Sequence, residues 1–562
     1  MSLPLLASAF LILIFLGYNF YGRWVARQYA LDDTHTTPAH QVNDGIDFVP
    51  TRPFYLFAQH FSAIAAAGPI AGPILAGMTF GWLPCVLWIS FGVIFIGAVH
   101  DFSSLTASVR HGARSIAEIT REHLGPRAGM AMLAFIWIAL MYVIVAFADI
   151  TAASFVSGTE ELMGTKVSFN PGGAVAAAST MYLLLAVVMG LVERYLKPPL
   201  WLSTIIFVPA TFGVVWLGTQ ISTLLLLDVK TWGLLILAYC AVASMLPVWL
   251  LLQPRGYLGG FVLYSALALG IIGVFFGGYE IKLPAFKTWN AGGMTGLLFP
   301  FLFVTIACGA CSGFHGLVCS GTTSKQVDRE SHMRPVGYGG MLAEGFVAII
   351  ALATVMIMSQ DELKGLKPGT IYGNGIGQFL TILIGKENLA FAVTFGAMAF
   401  STFVFDTLDV ATRLGRYIVQ ELFNWRGRGA IVGSTLISVA LPVYFLATAH
   451  EGAWIKFWTL FGSSNQLLAA LTLLTITVWL YKARRRVTFT LIPMLFVLIM
   501  TLWSLVTLTI SNFRAAQGLD IAMINAISAA ALIVLALYLA VSALIKVSTT
   551  ERTGRLEPAG VA

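Results

Sequence analysis

The sequence predicts an all-α, polytopic membrane protein of about 15 transmembrane helices. Three observations lead there. Apolar residues make up 58% of the 562 and charged residues only 10%, against roughly 25% charged in an average soluble domain. Apolar runs long enough to cross a bilayer, about 20 residues each, recur along the whole chain. Lysine and arginine fall mostly in alternate breaks between those runs, the asymmetry that orients membrane helices. A soluble chain of this length would imply several domains. Here no hydrophilic stretch exceeds a few dozen residues, so no soluble catalytic domain is expected.

Read between polar breaks, the spans fall near 3–22, 57–76, 83–109, 130–157, 173–191, 198–219, 231–252, 257–277, 295–320, 338–358, 389–412, 429–446, 452–480, 487–509 and 521–545. The run Leu3 to Phe20 has no basic residue before it and no small-x-small cleavage site after it, so it reads as a retained helix. The segment 370–385 is too short to span and reads as a re-entrant piece on the outer side. Gly373, Gly375 and Gly377 within it follow no strand and read as a flexible loop, not a dinucleotide fingerprint. The five cysteines lie in or beside apolar runs and imply no disulfide framework.

Assigning each lysine and arginine to its nearest break places 24 of the 33 on the side of the odd-numbered loops and the C-terminus. Arg255 is counted there as a loop residue between the seventh and eighth spans. The predicted location is a bacterial inner membrane, with the N-terminus outside, the C-terminus cytoplasmic and an odd number of spans. Loops facing the cytoplasm account for the net charge of +7, and no nucleic-acid partner is expected.

Two spans are unlike the rest. The second carries Gly68-Pro69 and Gly72-Pro73, and each proline removes a backbone donor and disfavours helix locally. The ninth carries Cys308, Gly309, Cys311, Ser312, Gly313, His315, Gly316, Cys319 and Gly321. Unwound backbone at membrane depth is tolerated where it is buried in protein or lines a watery cavity, and transporters bind cargo at such discontinuous helices. The alternative is close packing through small residues. The two spans run in opposite directions, as the first helices of two inverted repeats must. The expected organisation is a peripheral helix at 1–22, a cytoplasmic loop at 23–56, a first repeat at 57–219, an inserted helix pair at 220–294, a second repeat at 295–480 and peripheral helices with a tail at 481–562. This is a 5+5 arrangement.

Substrate is expected at Gly68, Pro69, Gly72, Pro73, Gly309, Ser312, Gly313 and His315, where freed N–H groups would hold a carboxylate. Ionisable residues inside a membrane are functional candidates. His60, Asp101, Glu344, Asp406 and Asp409 are expected to handle a coupling proton or sodium, with His100 and Asp149 as further candidates. The competing reading pairs Asp101, Asp406 and Asp409 with Arg110, Arg413 or Arg416 at the interface, as the spacing of Asp409 and Arg413 suggests. Cys308, Cys311, His315 and Cys319 recur on one helical face with zinc-type ligands, but one straight helix cannot wrap a metal with all four. No HExxH, GxSxG or Walker A motif is present. No enzyme activity and no cofactor are expected, although a membrane-embedded metalloenzyme and a nutrient sensor are rival classes for the same residues.

Several long strings then carry a resemblance. PAHQVNDGIDFVPT (38–51), QHFSAIAAAGPIAGPILA (59–76), GAVHDF (97–102), IACGACSGFHGLVCSGTTSKQ (306–326), YGGMLAE (338–344), LDVATRLGRYIVQEL (408–422) and LFGSSNQLLAAL (460–471) occur in this order. The chain resembles the carbon starvation protein A (CstA) family over most of its length. The resemblance implies uptake of peptides, and in some members pyruvate, during nutrient limitation, and membership of the amino-acid/polyamine/cation symporter superfamily. His60, Gly68, Pro69, Gly72, Pro73, Asp101, Gly313, His315, Glu344 and Asp409 fall inside matching motifs. His100 stands where relatives commonly have Gln, and Cys311 and Cys319 lie outside the family pattern.

Overall fold

The computed structural model describes residues 2–45, 47–65, 67–156, 169–247, 249–448 and 454–549. Helices dominate, and only two isolated β-bridges occur among the described residues, Thr51 with Val327 and Asn290 with Leu297. That is what lipid demands, because a helix satisfies its backbone groups within its own segment. Twelve of the described helices are long and apolar enough to cross a membrane. The other three expected spans are the two interrupted ones and Val229–Met245, which has 17 residues. The protein is a multi-pass membrane protein.

Burial sorts the helices. The apolar windows of Leu200–Gln220 and Ile521–Thr549 are only 22% and 28% buried, while those of Glu330–Met356 and Lys456–Lys482 are 89% and 94% buried. Helices that keep leucine, isoleucine and valine exposed, such as Ile205, Ile206, Val534 and Val541, present them to lipid. Glu330–Met356 and Lys456–Lys482 are the most buried of the twelve.

Both unusual spans are interrupted. The first consists of Pro53–Ile64 and Gly68–Phe80, bent by 46°. The interruption precedes Gly68 instead of running through Gly72-Pro73, because Pro69 occupies the first turn, where a missing N–H costs nothing. Pro73 lies inside the second half-helix. The second consists of Leu298–Thr305 and Gly313–Gly321, separated by seven non-helical residues. Three helices also contain a five-residue π turn, at Gly17–Tyr21, Val93–Gly97 and Arg334–Tyr338. The latter two come shortly before Asp101 and Glu344 in the chain.

Two expectations are corrected. Residues 370–385 are neither a flexible loop nor irregular: Pro368–Ile384 is a helix. Its glycines permit close packing, since a Cβ on Gly373 would lie 2.8 Å from that of Ala397, and one on Gly377 would lie 2.8 Å from the Val393 side chain. Burial against the neighbouring helix offsets the roughly 1 kcal/mol helix cost of each glycine. Arg255 is also not a loop residue. Leu252–Phe276 begins before it, and its side chain is fully buried.

The loop that follows the first helix folds back on the segment after the second interrupted span. Glu330 accepts from Arg110 Nε at 2.5 Å, from Arg110 Nη2 at 2.6 Å and from the backbone N–H of Asp32 at 2.9 Å. Asp33 accepts from Ser331, His40 meets Asp328 at 2.8 Å, and the Thr51 N–H donates to Gln326. Glu330 is buried, so its contacts are little screened. Glu330→Gln should loosen this clasp. Charged hydrogen bonds contribute about 1.5–3 kcal/mol, so amide exchange across residues 31–51 should rise on the order of 10-fold or more in hydrogen–deuterium exchange, with helix cores unchanged.

Candidate functional site

The two interruptions pack against each other. A Cβ on Gly68 would collide with the Cys308 side chain, and one on Gly72 would lie 2.5 Å from the Thr305 carbonyl. These glycines are needed for close approach, so the packing explanation holds for them at a place where helix is also broken. The carbonyls freed by the second interruption are claimed by side chains. Trp88 donates to the Ile306 oxygen at 3.1 Å, Trp458 to Thr305 at 3.3 Å, and Gln466 to Phe303 at 2.9 Å. Asn465 occupies the start of the second half-helix. Its Oδ1 accepts from the Phe314 N–H at 2.9 Å, and its Nδ2 donates to the Ser312 hydroxyl at 3.0 Å and approaches Cys308 Sγ at 3.3 Å. One of the N–H groups expected to hold a substrate carboxylate is therefore already taken.

Below this junction lies a buried ionisable cluster. His315, in the first turn of Gly313–Gly321, meets Asp101 Oδ2 through Nδ1 at 2.9 Å. Its Nε2 lies 3.2 Å from Glu344 Oε2, within ion-pair range. The alignment is poor for a hydrogen bond, and both Glu344 oxygens lack a hydrogen-bond partner. His100 Nδ1 meets Asp101 Oδ1 at 2.8 Å, and Cys319 Sγ donates to the Asp101 carbonyl at 3.4 Å. All of these side chains are at most 1% exposed, Cys319 included. His60 is buried nearby, held by Thr323 through Nδ1 at 2.9 Å, with its ring against Gly340 and Nε2 unpartnered. With His315 protonated and both carboxylates ionised, the triad carries one uncompensated negative charge. Burying such a charge is costly.

Asp406 and Asp409 belong elsewhere. Arg255 donates through Nε to Asp406 at 2.9 Å and pairs closely with Asp409 through Nη1. Tyr239 donates to Asp409 at 2.8 Å and accepts from Arg255 at 2.8 Å, while Tyr182 donates to the Arg255 carbonyl. Among the described residues no hydrogen bond or ion pair links this group to the Asp101 triad. The interfacial pairing considered from sequence is also absent: Arg110 binds Glu330, Arg413 donates to the Ala243 and Leu246 carbonyls, and Arg416 to Ser244. Asp149 is half-buried on Pro126–Ser154. Cys308, Cys311, His315 and Cys319 do not converge on a common point: among the described residues, the only group of three or more His/Cys/Asp/Glu with ligand atoms all within 4.8 Å of one another is His111, Glu122 and His123.

Sequence reasoning missed Arg255, Asn465, Gln466, Trp88 and Thr323. Asn465 and Gln466 had a signal, two adjacent amides inside an apolar run. Arg255 had one too, as a cation near a span end with two later aspartates needing a partner.

Residues 1–374 and 365–504 match the family model described as carbon starvation protein CstA. The chain belongs to the CstA family. A peptide transporter CstA of Campylobacter jejuni is 34% identical, covering 89% of this chain and 79% of that one. Its Bacillus subtilis counterpart is 32% identical, covering 88% of each. The pyruvate/proton symporter BtsT of Escherichia coli is 31% identical, covering 87% and 79%. Among solved structures, a manganese transporter of Eremococcus coleocola overlaps 88% of this chain and 95% of that one at 14% identity with a TM-score of 0.40, too loose a fit to carry further argument. The CstA family match embraces both interruptions and both ionisable groups.

Two substitutions test these contacts. Asn465→Ala strands a buried N–H at Phe314, which costs about 1–3 kcal/mol, and should lower the thermal unfolding midpoint in detergent, whereas Asn465→Asp, which keeps an acceptor, should lower it less. Arg255→Met leaves the buried Asp409 and the half-buried Asp406 uncompensated, a loss of roughly 3–5 kcal/mol. Adding Asp409→Asn to Arg255→Met should recover part of the midpoint; a double variant no more stable than the single would refute the pairing.

Proposed function

We propose that this chain is a secondary active transporter that imports short peptides across a bacterial inner membrane, driven by a proton or sodium. The carrying observation is the juxtaposition of two interrupted helices with the buried Asp101–His315–Glu344 triad. Interrupted helices are the usual cargo sites of such carriers, and a buried triad of two carboxylates and one histidine suits a coupling cation. Peptide cargo is supported by relatives named as peptide transporters, matched over 79% and 88% of their lengths.

The inverted 5+5 organisation belongs to this proposal. It is supported by element order: each interrupted span is followed by a long helix with a π turn, Trp82–Arg110 or Glu330–Met356, and each of those helices bears one triad carboxylate. A shorter helix follows each, Ile116–Leu124 or Pro368–Ile384. The lysine and arginine distribution supports an outside N-terminus and a cytoplasmic C-terminus.

Pyruvate driven by protons is the second reading, favoured by the relative named as a pyruvate/proton symporter. Both cargoes present a carboxylate. Proteoliposomes separate them: labelled di- and tripeptides should accumulate under an imposed gradient, and unlabelled pyruvate should not compete. Competition by pyruvate alone would favour the second reading, and no gradient-driven uptake of either would reject both. Glu344→Gln should lower gradient-driven accumulation at least 10-fold while sparing counterflow exchange; full accumulation would remove Glu344 from coupling.

A further inference from the structure

Away from the triad, the Trp82–Arg110 helix ends at His111. Gly112 and Ala113, both at positive φ, reverse the chain. Ser115 and Glu118 form a reciprocal cap that starts Ile116–Leu124. This tight connection brings Glu122 and His123 beside His111. His111 Nδ1 lies 2.6 Å from the Ala107 carbonyl. A carbonyl can only accept, so Nδ1 carries the proton and Nε2 presents a bare lone pair. That lone pair points at His123 Nε2, 2.8 Å away, with the rings perpendicular. A Glu122 carboxylate oxygen lies within 4.8 Å of a ring nitrogen of each histidine.

The surroundings hold this arrangement in place. The Trp479 ring packs edge-on against His111, with centroids 5.2 Å apart. Lys482 Nζ donates to the His123 carbonyl at 2.8 Å, tying the short helix to Lys456–Lys482. Arg114 Nη1 donates to Glu122 Oε2 at 3.0 Å, leaving the second carboxylate oxygen for another partner. His111 is buried, His123 half-buried and Glu122 exposed, so one side is closed and the other reaches solvent.

We propose that His111, His123 and Glu122 form a binding site for a divalent transition-metal ion of the zinc class. Two imidazole nitrogens and one carboxylate are an established zinc donor set that leaves a position for water. The Nδ1–H bond to a backbone carbonyl is the outer-shell contact that fixes the tautomer of a metal-bound histidine. Zinc–nitrogen bonds of about 2.0–2.1 Å need the two nitrogens roughly 0.5 Å further apart than they stand, a small rotation of the half-exposed His123. An ion here would fasten the end of the helix that carries His100 and Asp101 to its neighbours, a link between metal supply and the triad that does not depend on what is carried.

The test is metal content and spectroscopy on the full chain in detergent, with Zn²⁺ and Co²⁺ as the probes. After stripping and equilibrium dialysis against micromolar Zn²⁺, wild type should retain one ion per chain above a background set by the buffer. His123→Asn and the surface variant Glu122→Gln should each weaken retention at least 10-fold while remaining monodisperse. Asp101→Asn and a Cys308→Ser/Cys311→Ser/Cys319→Ser variant should retain the ion as wild type does. Co²⁺ should give d–d absorption that His123→Asn removes. No retained ion in wild type, or retention unchanged in His123→Asn, would overturn the site and leave a plain His111–His123 hydrogen bond.

Discussion

Two interrupted helices can lie against each other inside a bilayer only if the backbone groups freed by the interruptions find partners. Unmade hydrogen bonds in hydrocarbon cost several kcal/mol each, so the partners must come from protein. For the second interruption they come from two helices. Trp82–Arg110 supplies Trp88, and Lys456–Lys482 supplies Trp458, Asn465 and Gln466. This duty explains why an amide pair sits in an otherwise apolar span and why that span is among the most buried. It also sets the position of His315. Asn465 fixes the first turn of Gly313–Gly321, and His315 on that turn is carried onto Asp101, which Trp82–Arg110 itself bears.

The features legible in the sequence were those that act through local chemistry. Proline and glycine disfavour helix through local backbone chemistry, so the interruptions at Gly68-Pro69 and near Gly313 could be placed to within a few residues. Buried ionisable residues are conspicuous against apolar neighbours, so His60, Asp101, His315 and Glu344 stood out. What the sequence hid depends on partners distant along the chain. Arg255 lies 151 residues from Asp406, and a cation near a span boundary looks like any other loop cation until its helix is seen to begin at Leu252. Gly373, Gly375 and Gly377 suggested a loop because their helix is stabilised by packing on Lys386–Leu422, which intrinsic propensity does not register. The regular spacing of Cys308, Cys311 and Cys319 suggested ligands, but regular spacing on one helix spreads side chains along the axis and does not bring them to a point.

The two intramembrane groups differ in what they can exchange. Arginine keeps its proton in proteins, so Arg255 is a permanent positive charge between Asp406 and Asp409, with Tyr239 bonded to both Arg255 and Asp409. Neutralising either aspartate would weaken the ion pairs that join Leu252–Phe276 to Lys386–Leu422. Such a group suits fastening Leu252–Phe276 to Lys386–Leu422. The triad has a histidine where the other group has an arginine. In the triad, Glu344 has no hydrogen-bond donor on either oxygen. Its hydrogen bonding therefore need not be dismantled for a cation to arrive.

That difference bears on how cargo and cation would act on each other under the proposed function. His315 sits one turn beyond the interruption at which cargo is expected, and the same imidazole touches both carboxylates of the triad. A shift of Gly313–Gly321 on binding cargo would move His315 relative to Asp101 and Glu344 together, changing the charge balance of the triad. A cation arriving at Glu344 would in turn weaken its hold on His315 and free the half-helix to move. Coupling of this kind is reciprocal by linkage. It needs no long relay, because the moving element and the charged element are the same nine-residue helix.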